Sequence, residues 1–270
     1  MTHSVRAVWQ YRGLIGNFAN REIKGKYKGS LLGSAWSLIN PLATLAIYSL
    51  VFGFIIRFPT PVAGNGQLTN FTVYLFTALV VWNFFQSITT SGMGALVMAG
   101  SLLRKIYFPP FAPVLGSASA VLNQTAIEFG LLFLVYVVVG NIGWTFLLAP
   151  VLLVLLAAFS LGIGMVLAIA NARFRDVSYI VTVLLSLLFY LSPIIYPISL
   201  VTEQYDEHPW LRLYEYNPIT AFIEAFRSVL WDLEVPAWSE LAYLATLSVL
   251  LLAVGWTFFQ AKSVDVSEEL

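Results

Sequence analysis

The sequence predicts an all-α integral membrane protein. It should have six transmembrane helices, an N-terminal amphipathic interfacial helix, a short inner connecting helix, and re-entrant outer helices between spans five and six. Three observations predict this. Of 270 residues, 59% are hydrophobic and 10% charged, with a mean hydropathy of +0.81; a soluble domain carries about 25% charged residues. Six stretches approach the roughly 20 apolar residues that cross about 30 Å of hydrocarbon. The Lys and Arg residues crowd onto one set of connecting segments.

Residues 5–36 read as helix. Val8, Tyr11, Leu14, Ile15 and Phe18 make one apolar stripe. Ile23, Tyr27 and Leu31 make a second, rotated stripe, which predicts a kink near Ala19–Glu22. Arg21, Lys24 and Lys28 share one flank, with Lys26 beside them. Such a helix lies in the membrane interface with its bases toward headgroups.

The spans follow at about 36–56, 71–98, 113–139, 145–171, 179–196 and 241–260. Residues 57–69 are a turn-rich loop. Residues 99–112 are too short and too basic to cross. Ser101 is placed to cap a helix starting at Leu102, and Pro109-Pro110 must stop it. That helix would present Leu103, Arg104, Lys105, Ile106, Tyr107 and Phe108. Arg175 and Asp176 mark a tight turn between spans four and five. Gly162 and Gly164 in span four permit close helix approach. Pro193 and Pro197 break the end of span five. Asn217-Pro218 opens another segment too short to cross. Irregular backbone at such depth must pack on protein or line a water-filled path.

Charge sets the direction. With the N-terminus inside, the inner segments hold eleven of fourteen bases, and residues 197–240 on the outside hold eight of fourteen acids. Short loops rich in Lys and Arg stay cytoplasmic, so both termini should be cytoplasmic. No internal repeat is visible, so the division is an interfacial segment (1–35) and one six-span domain (36–270).

Composition also limits the chemistry. There is no cysteine, so disulfides and thiolate sites are excluded. His3 and His208 are the only histidines and lack metal-ligand spacing. The phosphate-binding Gly-x-x-x-x-Gly-Lys-Ser/Thr pattern is missing. No catalytic residue, metal or cofactor is expected in this chain, and no nucleic-acid partner.

Motif order carries a resemblance. The run from Arg21 through Lys24, Lys26, Tyr27, Lys28, Ser30, Leu32, Gly33 and Trp36 to Asn40-Pro41 resembles the start of the permease subunit of type-2 ABC polysaccharide exporters. Trp82-Asn83-Phe84-Phe85 and Leu103–Pro109 follow. Then come Gly162-Ile163-Gly164, Arg175-Asp176, Ser192–Pro197, and Asn217-Pro218 through Arg227, in that family's order.

The resemblance implies a homodimer in the bacterial inner membrane, paired with two separate ATPase subunits that would bind ATP and Mg²⁺. It implies export of a lipid-linked glycan such as O-antigen, capsule, teichoic acid or galactan. Leu102–Pro109 would be the coupling helix on the ATPase. Arg21–Ser34 would be a gate helix near the pyrophosphate of the substrate. Residues 198–231 would form the outer gate. The path would run between the two copies, walled by spans one and five. Aromatic rings offer flat faces to sugar C–H groups, which makes Tyr48, Phe52, Trp82, Phe85, Tyr190 and Tyr196 candidates for its lining.

Glu128 is the one acid inside a span, near Asn123 and Gln124. Intramembrane carboxylates are functional candidates by default; helix contact is the plainer reading. Three other functions stay open. One is type-2 export of a drug or small lipid. A second is ion-coupled secondary transport, which asks for mid-membrane charges and inverted repeats. The third is glycan modification by the outer acids Glu203, Asp206, Glu207 and Glu215.

Overall fold

The structure, a computed structural model, describes residues 5–26, 28–57, 60–103 and 105–269, and no strand occurs among them. Helices α1 (Val5–Gln10) and α2 (Arg12–Lys26) come first. The break is at Tyr11, and α2 runs unbroken through the expected kink at Ala19–Glu22. The reason lies in α5 (Phe111–Val138). A Cβ at Gly116 would strike Phe18 and crowd the Ile15 carbonyl and Ala19 amide. The missing side chain therefore lets α2 rest flush on α5 through Ile15 and Ala19.

Helix α3 (Trp36–Tyr48) takes Pro41 in its first turns and continues as π-helical turns over Ser49–Ile55. Helix α4 (Phe71–Leu103) is the central column. Leu75, Ala78 and Val80 on it are fully buried. It continues straight through Ser101, so Leu102 and Leu103 form its last turn rather than a separate connecting helix. No proline interrupts α4 before Ser101, and a residue already inside a helix cannot act as its cap. Lys105 and Ile106 make a turn, and Tyr107–Pro109 are irregular; Arg104 lies outside the described residues.

After α5, a 3₁₀ turn (Trp144–Leu148) leads into α6 (Ala149–Arg173). Arg175 and Asp176 lie exposed in the turn before α7 (Val177–Tyr190). At 14 residues α7 is about 21 Å long, short of the ~30 Å hydrocarbon thickness. Its expected extension to Tyr196 ends early because Leu191-Ser192-Pro193 breaks the ladder. The other five expected spans are present as helical segments long and apolar enough to cross, at Gly33–Ile55, Phe71–Leu103, Phe111–Val138, Trp144–Arg173 and Trp238–Ser263.

Next come α8 (Ser199–Thr202), a 3₁₀ segment (Pro209–Tyr216), and α9 (Pro218–Arg227) with π-helical turns over Ser228–Asp232. Helix α10 (Trp238–Glu269) closes the chain.

Helices α4, α6 and α10 approach through glycine. A Cβ at Gly92 would sit 3.2 Å from the Gly164 Cα. One at Gly162 would collide with the Leu251 carbonyl, and one at Gly255 with the Gly162 carbonyl. With no hydrophobic force between helices in lipid, such close packing is what holds them. By contrast α3 buries only Ser37, and α7 only Val181 and Leu185. Ile47, Leu50 and Phe54, with Val183, Leu184 and Leu187, are exposed apolar residues on those two helices.

Candidate functional site

A cavity of about 950 Å³ opens at the α2 end of the bundle, between α2, the start of α3, α4 and α5. Its rim carries Arg21, Lys24, Lys26 and Lys28, with Glu22 the one acid among them. All four bases are exposed. Their positions follow from the seat of α2: Ile15 and Ala19 face α5 and are buried, which leaves the C-terminal turns free to present charge. Gly29 and Gly33 both have positive φ, at 79° and 53°. Glycine is the residue that takes such angles without cost. They turn the chain toward α3, and Ser34 and Ser37 beyond the turn line the cavity.

The depth of the cavity is polar although it lies between apolar helices. Asn83, Ser87, Thr90 and Ser91 line it from α4. Their spacing (i, i+4, i+7, i+8) places them on one helix face. Ser117, Gln124 and Glu128 do the same from α5. Glu128 is 7% exposed. The Gln124 Nε2 donates to Glu128 Oε1 at 3.0 Å and to the Ser37 carbonyl at 2.8 Å. A buried carboxyl needs such partners. Asn83 on α4 and Lys26 on α2 line the same cavity as this carboxyl. Glu128 is thus the centre of a network that ties α3 and α5 together beneath the basic rim. This grouping was readable as two polar stripes inside apolar spans; the stripe on α4 carries no charge to draw attention.

The residues expected at the connecting helix divide. Ile106 is 58% exposed and Tyr107 95%. Phe108 is buried and its ring lies 5.5 Å from Phe18 on α2. Tyr11 likewise meets Phe111 at 6.1 Å. The exposed loop and α2 therefore share one apolar cluster, together with Ile15, Leu96 and Met165.

 

The expected path aromatics also divide. Tyr48 and Phe52 stack edge to face at 6.0 Å, and Tyr48 lies 6.4 Å from Phe189. Phe189 in turn meets Trp82 at 5.5 Å. Trp82 and Phe85 are both buried; Phe85 turns inward to Phe159, which continues to Phe222. Tyr190 is exposed on α7. Tyr196 lies beyond the helix, where its hydroxyl donates to the Tyr190 carbonyl at 2.9 Å. Burial and the neighbouring Tyr214 push that hydroxyl's pKa up.

The opposite end is closed by polar residues, of which the sequence marks Asn217 as a segment start but gives Arg227 and Asn141 no contact. Arg227 is 1% exposed. It donates to the Pro193 carbonyl at 2.7 Å, the Ile194 carbonyl at 3.1 Å and Glu224 at 2.9 Å. Its guanidinium lies 3.8 Å from the Tyr74 ring. Asn217 caps α9 by accepting from the Ile219 amide, with Pro218 in the first turn. Its Nδ2 reaches Leu191 and Ser192. Asn141, fully buried, donates to the Leu230 and Trp231 carbonyls. The Glu224-x-x-Arg227 spacing was the available signal for this lock. Burial and the nearby Glu224 and Glu234 raise Asp232 to about 6, against the opposing pull of Arg227.

Comparison with known proteins gives this geometry its context. Residues 14–231 match the model of the ABC-2 type transporter family. The chain is 29% identical over 273 residues to the O-antigen export system permease protein RfbA of Myxococcus xanthus, covering 100% of both chains. It is 27% identical to RfbA of Klebsiella pneumoniae, over 93% of this chain and 92% of that one. It is 25% identical to the polysialic acid transport protein KpsM of Escherichia coli, over 90% of each. The match spans α2 to the end of the α9 region, and on it this multi-pass membrane chain belongs to the ABC-2 type transporter family.

Proposed function

We propose that this chain is the membrane subunit of an ATP-driven exporter that moves a lipid-linked polysaccharide out of the cytoplasm. The observation that carries the reading is the basic-rimmed cavity at the α2 end, backed by relatives named for O-antigen export and polysialic acid transport. A cluster of bases at the membrane surface suits an anionic diphosphate linker. The exposed faces of α3 and α7 fit a second copy of the chain, with the translocation path between the two. Two ATPase subunits, carrying ATP and Mg²⁺, would dock on Ile106 and Tyr107. In this arrangement α2 is the gate helix and the α8–α9 region the outer gate. Both termini are cytoplasmic and the membrane is the bacterial inner membrane, in keeping with the distribution of Lys and Arg.

Phe108 then has a role of its own. It faces inward onto Phe18 and links the docking loop to the gate helix. The test is purification from native membranes in mild detergent. An ATPase should accompany the chain and be lost on Ile106→Ala with Tyr107→Ala. Phe108→Ala should keep the ATPase but lose the stimulation of ATP hydrolysis by lipid-linked polymer. A chain that purifies without any ATPase overturns the reading.

A further inference from the structure

The cavity has two chemically different zones, and the exporter reading uses only the rim. Four bases and one acid ring the opening; Glu128, Gln124, Asn83, Ser87 and Thr90 line the depth. A ligand that fits both must carry its negative charge at the rim and a neutral, hydroxyl-rich group inside. A free inorganic anion would meet the Glu128 carboxyl, and an ordinary anionic headgroup would be satisfied at the rim alone. A carboxyl accepts hydrogen bonds from two adjacent hydroxyls, and side-chain amides both donate and accept. That is the pattern offered by the neighbouring hydroxyls of a sugar ring. We infer that Glu128, with Asn83 and Gln124, forms a subsite that reads the first sugar next to the diphosphate of the lipid-linked substrate.

This rests on the exporter reading and adds a specificity-determining residue to it. Gln124 gives the subsite a mechanical consequence, because the amide that holds Glu128 also holds the Ser37 carbonyl at the start of α3. A sugar hydroxyl that donates to Glu128 competes with the Gln124 amide for the carboxylate oxygen, so the amide is no longer held from both sides. Binding in the subsite therefore loosens the tie between α5 and the span that faces the second copy.

The test uses the permease–ATPase complex in lipid nanodiscs and two probes, farnesyl diphosphate and the same lipid diphosphate bearing one N-acetylglucosamine. Glu128→Gln should weaken binding of the glycosylated probe by about tenfold, the worth of one charge-assisted hydrogen bond, and leave the bare probe unchanged. Asn83→Ala should show the same selective loss and serves if Glu128→Gln does not fold. Equal weakening of both probes, or no change in either, overturns the subsite. Competition by a soluble UDP-sugar as strong as that by the glycosylated probe overturns its assignment to the lipid-linked form. The exporter reading fails separately, when lipid-linked polymer neither binds the wild-type complex nor stimulates its ATP hydrolysis.

Discussion

The two ends of this molecule handle polar groups in opposite ways. At the α9 end, Arg227, Asn217 and Asn141 spend their hydrogen bonds on backbone carbonyls and on one another's segments. At the α2 end, Arg21, Lys24, Lys26 and Lys28 stand exposed around an open cavity. One end is closed by its polar residues, and the other leaves them exposed around the cavity. Buried hydrogen bonds fix a structure because leaving them unmade is costly, whereas exposed charges add little to stability. The comparison therefore separates residues that hold the protein together from residues that let it work.

Substitutions can break or sharpen that separation. The largest effect is expected at Arg227. Its replacement by Ala leaves the part-exposed Glu224 unpaired and strands two buried carbonyls, and each buried group left unsatisfied costs about 1–3 kcal/mol. Thermal unfolding in detergent should show it as a large fall in Tm. Arg227→Lys should rescue only in part, because an ammonium cannot reproduce the planar fork. Gly162→Leu comes next: it forces α6 off the α10 backbone, and overpacking of this kind costs about 1–3 kcal/mol, read by the same measurement. Asn217→Ala removes a helix cap worth about 1 kcal/mol and should lower Tm modestly. Lys24→Glu combined with Lys26→Glu should leave Tm nearly unchanged while reducing export, followed as lipid-linked polymer accumulating on the cytoplasmic leaflet. An equal loss of Tm in that variant would dissolve the distinction between the two ends.

The smallest effect is a pH dependence. Asp232 titrates near 6 in the folded protein, above the ordinary carboxylate range of about 3.9. The folded state thus holds more protons than the unfolded one between those values, so stability falls as pH rises through the window. Tm should therefore fall slightly from about pH 4 to pH 6, and Asp232→Asn should remove that part of the slope. A slope unchanged in the variant would place its origin in other carboxylates.

Much of this was legible in the sequence. Apolar length and the Lys/Arg bias gave the spans, because a membrane forces long runs of one kind of side chain. Gly162 and Gly164 announced close packing, and Asn217-Pro218 announced a helix start; both are local signals that survive folding. What depends on long-range neighbours was not legible. The straightness of α2 follows from Gly116 on another helix. The inward turn of Phe108 follows from Phe18, ninety residues earlier in the chain. Ser101 has the chemistry of a helix cap, yet α4 runs past it. Asn83, Ser87 and Thr90 became a site only once α5 set Glu128 opposite them.

The glycine contacts of α4, α6 and α10 have a consequence for how work is done. Backbones that touch through Gly92, Gly164, Gly162 and Gly255 leave no slack for sliding. In the exporter proposed above, those three helices would be the stator, and motion would fall to the parts with little buried surface, α2, α3 and α7. A stroke begun at the proposed docking loop would then pass through Phe108 and Phe18 into α2, and a bore between two copies would change width while each copy's frame stayed still.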